Sequence, residues 1–81
     1  MAKPSPIYAG IKELVALGKA IRELRLELGY SQEAFADAVG LDRSYVGGIE
    51  RGEHNLALMN LLKIAKTLNL SASQLLTKAN L

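Results

Sequence analysis

The sequence predicts an all-α protein of five helices, and its composition and patterning both support this fold class. Fifteen leucines and eleven alanines stand against eight isoleucines and valines, and only 5% of the residues are aromatic. Such a composition favours helices over strands. Apolar residues recur at helical spacings, and serine, glycine and asparagine stand where helices would begin or end.

The first two helices are delimited by capping residues. Residues 11–28 carry an apolar stripe at spacings of three and four, formed by Leu14, Leu17, Ile21, Leu24 and Leu28. Gly29 then supplies the left-handed position that ends a helix. Ser31 is predicted to cap a short helix over residues 32–39 by accepting a hydrogen bond from a first-turn amide, and Gly40 ends it.

Three further helices follow by the same reasoning. Asp42 is the predicted N-cap of a third helix over residues 43–51, which Gly52 ends. The fourth helix ends near Asn69 and presents an apolar stripe of Leu58, Leu61, Leu62, Ala65 and Leu68. Ser71 and Gln74 form a capping box that opens a fifth helix through about Lys78.

The chain is short enough to form only one domain. Its 81 residues lie well below the length at which chains divide. Residues 1–10 contain Pro4 and Pro6 and are expected to form a flexible, extended or frayed arm. Residues 11–81 are expected to form the single domain.

The composition excludes several classes of function. The sequence has no cysteine and one histidine, which excludes thiolate chemistry and most imidazole-based metal sites. No paired-carboxylate cleft, Ser/His/Asp set or glycine-rich phosphate loop can be constructed, so we expect neither an enzyme nor a bound cofactor. Because no apolar run reaches the roughly 18 to 20 residues of a membrane span, we expect a soluble, cytoplasmic protein. The net charge of +2 is compatible with a nucleic-acid partner without arguing for one.

The most informative segment is residues 32–51. Two short helices joined by three or four residues must cross steeply, and only a small side chain fits at their contact. Ala36 is that residue, and Gly40 permits the tight turn. The inward-facing residues are Phe35, Val39, Leu41, Val46 and Ile49. This pattern predicts a helix-turn-helix, and an ordinary helical hairpin is the alternative.

Several stretches carry a resemblance to a known family. They are Ile21-Arg-Glu-Leu-Arg through Gly29-Tyr-Ser-Gln-Glu, Leu41-Asp-Arg-Ser-Tyr, Ile49-Glu-Arg-Gly, and Leu61-Leu-Lys-Ile-Ala-Lys-x-Leu. Together they resemble the XRE family of Cro and repressor-type helix-turn-helix proteins, over about residues 17–76. The short length, and the absence of the usual proline at Asn55-Leu56, are most similar to controller proteins of restriction-modification systems. The resemblance implies a five-helix, lambda-repressor-like, homodimeric transcription regulator that binds inverted repeats near a promoter.

The second motif helix is predicted to read bases. An exposed helix at this position can enter the major groove with its amino-terminal turn toward base edges, where Arg43 and Ser44 stand. An arginine there can donate two hydrogen bonds to guanine, worth roughly 1 to 3 kcal/mol of discrimination. A solvated charge, or a partner for Asp42 or Asp37, is the alternative for Arg43. Plain surface is the alternative for Ser44.

Two adjacent glycines in this helix, Gly47 and Gly48, are also candidates for base contact. Glycine destabilises a helix by about 1 kcal/mol relative to alanine, and a close approach of backbone to DNA would explain the pair. The sequence departs here from several phage repressors, which carry a polar base reader where Gly48 stands. The alternative is that this helix reads fewer bases directly, so that specificity relies on Arg43, DNA shape and dimer spacing.

Phosphate contacts are expected where the chain enters and leaves the motif. Free amides at a helix N-terminus favour an anion, and the resemblance implies such a contact for Gln32. Tyr45 can stack on the sugar-phosphate backbone or pack on its own domain. For His54, a solvent-facing loop histidine that is neither a metal site nor a base is the alternative. The candidates are Ser31, Gln32, Tyr45, Arg51, His54 and Asn55.

Two further pairs of charged residues are singled out. The resemblance implies that Arg25 and Glu50 form a partly buried ion pair between the first helix and the recognition helix. Glu33 and Asp37 stand four residues apart and form an acidic edge. Some relatives offer such an edge to RNA polymerase, and a solvated acidic face is the alternative.

Dimerisation is expected because one helix reads only about four to five base pairs, so two half-sites about 34 Å apart are needed. The interface is placed on the last two helices, about residues 58–79. The alternative is that its leucines fill the core of the monomer. Met59 could likewise lie in either place. Further contacts are expected from the arm through Ile7, Tyr8 and Ile11. The expected interface residues are Leu62, Leu70, Leu75 and Leu81.

The sequence thus predicts a homodimeric regulator that binds operator DNA. An antitoxin-like protein, or a protein-interaction module with the same fold, is the competing hypothesis. The glycine pair and the modest net charge favour that alternative.

Overall fold

Five α-helices account for the secondary structure of residues 3–81, which are the residues that the computed structural model describes. They are α1 (Lys12–Glu27), α2 (Gln32–Val39), α3 (Arg43–Glu50), α4 (Leu58–Thr67) and α5 (Ala72–Lys78). The predicted all-α class and helix order are confirmed. Against the predicted ranges, α1 is one residue shorter at each end, and α3 ends at Glu50 rather than Arg51.

The helix ends show which capping predictions hold. The Ser31 hydroxyl accepts a hydrogen bond from the Ala34 amide at 3.0 Å, and Ser71 and Gln74 form the reciprocal capping box. Asp42 precedes α3, but its carboxylate accepts from the Ser44 hydroxyl at 3.0 Å and caps no backbone amide. Asp42 therefore stands at the predicted N-cap position, but its carboxylate bonds to a side-chain hydroxyl and not to an amide of the first turn.

The core receives one fully buried large side chain from each helix. These side chains are Ile21, Phe35, Val46, Ile64 and Leu75. Burial of each contributes about 1.5 to 3 kcal/mol of hydrophobic free energy. Leu75 was expected at a dimer interface, and this expectation is wrong. Its side chain is 0% exposed within a single chain, so it offers no surface to a partner.

Helices α1 and α3 cross at Gly18. A Cβ atom built on Gly18 would lie 2.6 Å from the carbonyl oxygen of Glu50 and closer still to that of Ile49. Any larger residue would separate the two backbones, so glycine is required by the packing. The crossing fixes α3 against the longest helix of the domain.

The amino-terminal segment is bonded to the connection that follows α3. The amide of Ser5 donates to the carbonyl of Glu53 at 2.8 Å, and the amide of Gly10 donates to Gly52 at 2.9 Å. Residues 6–10 form turns, where an extended or frayed arm was expected. The backbone bonds explain the difference. Met1 and Ala2 of the predicted arm lie outside the described residues.

None of the helices in residues 3–81 has the length and apolar character needed to cross a membrane.

Candidate nucleic-acid interface

Helices α2 and α3 form a helix-turn-helix. Three residues join them, and the first, Gly40, has a φ of +84°. The amide of Leu41 donates to the carbonyl of Ala36 at 2.9 Å, which closes the turn. Ala36 is 1% exposed, as the small residue predicted between the two helices should be. The predicted motif is therefore formed.

The first residue of α3 is exposed to solvent, and the next two are half-buried. Arg43 is exposed, and its Nη1 donates to the side-chain oxygen of Gln32 at 3.1 Å. Within the described residues Arg43 forms no ion pair, either with Asp42 or with Asp37. Ser44 is half-buried and bonded to Asp42. Arg43 is thus the candidate reader that is best placed to leave the protein surface.

The amino end of α2 provides polar groups beside Arg43. The Ser31 hydroxyl is engaged as the helix cap. The Gln32 side chain is half-buried, and its Nε2 donates to Oε1 of Glu50 at 3.2 Å. Gln32 therefore bridges the exposed Arg43 and the buried Glu50.

Arg25 and Glu50 form a buried bidentate ion pair. Nε of Arg25 lies 2.7 Å from Oε2 of Glu50, and Nη2 lies 3.0 Å from Oε1. Nη1 of Arg25 donates to the carbonyl of Tyr30 at 2.9 Å. Their side chains are 7% and 3% exposed. The structure thus brings together the two residues that the resemblance pairs, and ties α1 to the last turn of α3.

Both glycines of α3 lie beneath side chains of the protein itself. A Cβ atom on Gly47 would meet Nη1 of Arg51 at 3.1 Å and Oε1 of Gln32 at 3.3 Å. One on Gly48 would come within 2.7 Å of Cδ2 of His54 and closer still to Nε2. The close approach at Gly48 is therefore made by an imidazole of this chain, which accounts for the glycine without DNA.

His54 is buried, so the alternative of a solvent-facing histidine does not hold. Its residue exposure is 9%, and its ring packs against Tyr45 with ring centroids 4.7 Å apart. Tyr45 is half-buried, and its hydroxyl accepts from Nδ2 of Asn60 at 3.4 Å. Of the two possibilities for Tyr45, the structure shows packing on its own domain. His54 offers little surface for a direct phosphate contact.

Arg51 lies just beyond α3 and is paired with Glu53. Its Nε and Nη2 donate to the carboxylate at 2.8 and 3.2 Å. This hydrogen bonding lowers the pKa of Glu53 below its ordinary value of 4.5 and raises the pKa of Arg51. The Arg51 side chain is 62% exposed, so the pair adds little to stability, and Arg51 can approach a phosphate. Asn55, the last phosphate candidate, is also exposed.

The remaining predicted residues lie elsewhere on the surface. Glu33 and Asp37 are exposed on α2. Leu62 and Leu81 are 41% and 51% exposed, whereas Leu70 is partly buried against the core. Leu62 and Leu81 therefore offer more surface to a second chain than Leu70 does.

Two residues of this region were not anticipated. Glu53 holds Arg51, and Gly18 seats α3 on α1. The spacing of Arg51 and Glu53 was a signal available in the sequence. Gly18 gave none, because its partners are backbone atoms of a distant helix.

Comparison with known proteins places this architecture in a family. A helix-turn-helix family model matches residues 21–75. The control protein C.SmaI of Serratia marcescens is 40% identical over 74 residues, which cover 91% of this chain and 86% of that protein.

Two solved structures resemble the fold. The restriction-modification controller protein C.AhdI of Aeromonas hydrophila superposes with a TM-score of 0.75 and 51% identity, covering 78% of this chain and 96% of that one. The clp gene regulator ClgR of Corynebacterium glutamicum has a TM-score of 0.80 and 26% identity, over 84% and 72% of the chains. These relatives are regulators and control proteins rather than enzymes. The chain belongs to the XRE-type helix-turn-helix family of DNA-binding regulators, and within it is most like restriction-modification controller proteins.

Proposed function

We propose that this protein is a restriction-modification controller that binds an inverted-repeat operator as a homodimer. The observation that carries this proposal is the exposed Arg43 on the first turn of α3, held by Gln32 at 3.1 Å. A guanidinium in that position can donate two hydrogen bonds to the major-groove edge of guanine. The similarity to C.SmaI and C.AhdI supports the restriction-modification context.

The proposed division of labour follows exposure. Arg43 and Ser44 read base edges from the first turn of α3. Phosphates on either side of that turn are contacted by Gln32, Arg51 and Asn55. These contacts position the protein along the duplex and do not discriminate between bases. Tyr45 borders this surface with its hydroxyl directed to Asn60.

Homodimerisation is proposed through the apolar surface of α4 and the carboxyl end. Leu58, Met59, Leu62 and Leu81 are between 41% and 65% exposed. Single exposed apolar side chains are ordinary, but three on one ten-residue helix favour an interface. Two-fold pairing would present two copies of α3 to half-sites about one helical turn apart, or 34 Å.

Contact with RNA polymerase is proposed at the acidic edge formed by Glu33 and Asp37. Both residues are exposed on α2, beside the proposed DNA surface. Activation of transcription that is lost in Glu33→Ala/Asp37→Ala, with unchanged operator binding, would support this contact. Unchanged activation would indicate a solvated acidic face.

Selection of random duplex DNA by the purified protein tests the proposed function. We expect an enriched inverted repeat that Arg43→Ala does not enrich. Arg22→Ala is the matched control, because it removes one exposed positive charge from α1, outside the motif. Sedimentation equilibrium at micromolar concentration measures the oligomeric state.

Any of three results would overturn the proposal. A folded wild-type protein that enriches no sequence would favour a protein-interaction module, as would affinity for DNA that is insensitive to salt. A purely monomeric species, free and on DNA, would contradict two-fold binding.

A further inference from the structure

The side of α3 that carries Gly48 is occupied by a residue from the next connection. A Cβ atom on Gly48 would lie within 2.7 Å of Cδ2 of His54 and closer still to Nε2. Real Cβ atoms essentially never come this close to another atom, so a larger residue at position 48 would require the imidazole to shift. Glycine destabilises a helix interior relative to alanine. The position of the His54 imidazole explains why glycine nevertheless stands at position 48.

The ring also packs against Tyr45, three residues before Gly48 on the same helix. The two ring centroids are 4.7 Å apart at an interplanar angle of 54°, a favourable tilted arrangement. Tyr45 is in turn linked to α4 through the hydrogen bond from Asn60. His54 therefore packs against two successive turns of α3, and Tyr45 links that helix to α4.

Packing rather than hydrogen bonding holds the imidazole. Within residues 3–81, the buried Nε2 of His54 has no hydrogen-bond partner. A buried polar atom without a partner carries a desolvation cost, which suggests that the ring is retained for what it positions.

The connection that His54 anchors carries two exposed phosphate candidates. Arg51 lies three residues before it and Asn55 directly after it. The backbone of this connection also bonds to α3, since the amide of Glu53 donates to the carbonyl of Gly48 at 2.9 Å. The connection that carries Arg51 and Asn55 is thus held against α3 by backbone hydrogen bonds together with the packing of His54.

We infer that His54 is a positioning residue for DNA binding, and that the absence of a side chain at Gly48 leaves the space in which its ring packs. The ring holds the connection from Arg51 to Asn55 against α3, and so directs those two side chains toward the DNA backbone. His54 itself touches no DNA. The inference depends on the proposed binding of operator DNA.

A double-mutant cycle tests this coupling. His54→Ala, Gly48→Ala and the combined variant are titrated with the selected operator over a range of salt concentrations. Circular dichroism confirms that each variant is folded at the assay temperature. Arg51→Ala is measured in parallel, because it reports the salt slope expected when one phosphate contact is lost.

We expect His54→Ala to weaken operator binding about tenfold and to reduce the salt slope by about 1, as the loss of one phosphate contact does. Gly48→Ala should weaken binding at least as much, because its methyl group displaces the ring. In the combined variant the methyl group occupies the vacated space, so its affinity should match that of His54→Ala rather than the product of the two losses. If Gly48→Ala alone does not fold, recovery of folding in the combined variant tests the same contact.

Unchanged affinity and salt slope in a folded His54→Ala would overturn the inference, as would fully additive losses in the cycle. A wild-type protein that selects no duplex would instead remove the proposed function. The two failures are therefore distinguishable.

Discussion

The side-chain oxygen of Gln32 accepts a hydrogen bond from Arg43 at 3.1 Å, while its nitrogen donates to Glu50 at 3.2 Å. Because Glu50 is bonded to Arg25, a continuous set of side chains runs from the buried ion pair to the exposed arginine. The orientation of Arg43 is thus linked to the interior of the domain.

Replacing Gln32 should weaken specific binding through Arg43. We expect Gln32→Ala to cost about 1.5 kcal/mol, or about tenfold in operator affinity, because the hydrogen bond to a charged group is lost. Fluorescence anisotropy with labelled operator measures the change. The loss from Arg43→Ala should be smaller when Gln32 is already alanine, and equal losses in both backgrounds would show that the two residues act independently.

Breaking the buried ion pair should destabilise the fold. We expect Arg25→Met to lower the free energy of unfolding by about 3 to 5 kcal/mol, because it leaves Glu50 buried without its partner. The double variant Arg25→Met/Glu50→Leu should recover most of this loss. Urea denaturation measures both. A loss as small as that of an exposed pair would indicate that water reaches Glu50.

A methyl group at Gly18 should disturb the crossing of α1 and α3. We expect Gly18→Ala to reduce stability by about 1 to 3 kcal/mol, although alanine is the better helix former, because the carbonyls of Ile49 and Glu50 occupy the space. Thermal unfolding measures the effect. Lys19→Ala, at the neighbouring exposed position, is the control and should be nearly neutral.

The carboxyl group of Glu53 should titrate below its ordinary range. Hydrogen bonds from Arg51 lower its pKa, so the contribution of the pair to stability is present above the ordinary carboxyl pKa and is lost as pH falls through the lowered value. A carboxyl-carbon NMR titration measures the pKa. Arg51→Ala should return it toward 4.5, and no change would mean that the pair is not formed in solution.

Two leucines should separate assembly from folding. Leu62 is 41% exposed on α4, so we expect Leu62→Ser to shift the protein toward monomer. The stability of the monomer itself should change little. Leu75 is fully buried, so Leu75→Ala should cost about 2 to 5 kcal/mol of stability. Sedimentation and urea denaturation distinguish the effects. A dimer that survives Leu62→Ser would place the interface elsewhere.

Local sequence signals predicted the helices well. The Ser31 cap, the Ser71–Gln74 capping box and the helical spacing of leucines each depend on residues within one or two turns of one another. The resemblance added the pairing of Arg25 with Glu50, which no local pattern contains.

Features that depend on contacts between different structural elements were not predicted. The burial of His54 is determined by Gly48 and Tyr45, which precede it by six and nine residues in a different element. Leu75 has the same periodic signal whether its helix faces a core or a partner. The hydrogen bonds between residues 5–10 and the loop after α3 involve only backbone atoms, so no pattern of side chains in the sequence predicts them.

The burial of α3 is uneven, and this has a consequence for how such a regulator diversifies. Val46 to Glu50 are all buried, and they hold the helix to the crossing at Gly18, to Arg25 and to His54. Arg43, in contrast, is exposed, and Ser44 is half-buried. Substitutions at Arg43 and Ser44 therefore leave the buried part of the helix intact. If the proposed function holds, a lineage of such proteins can acquire new operators by exchanging these two surface residues, without rebuilding the domain that presents them.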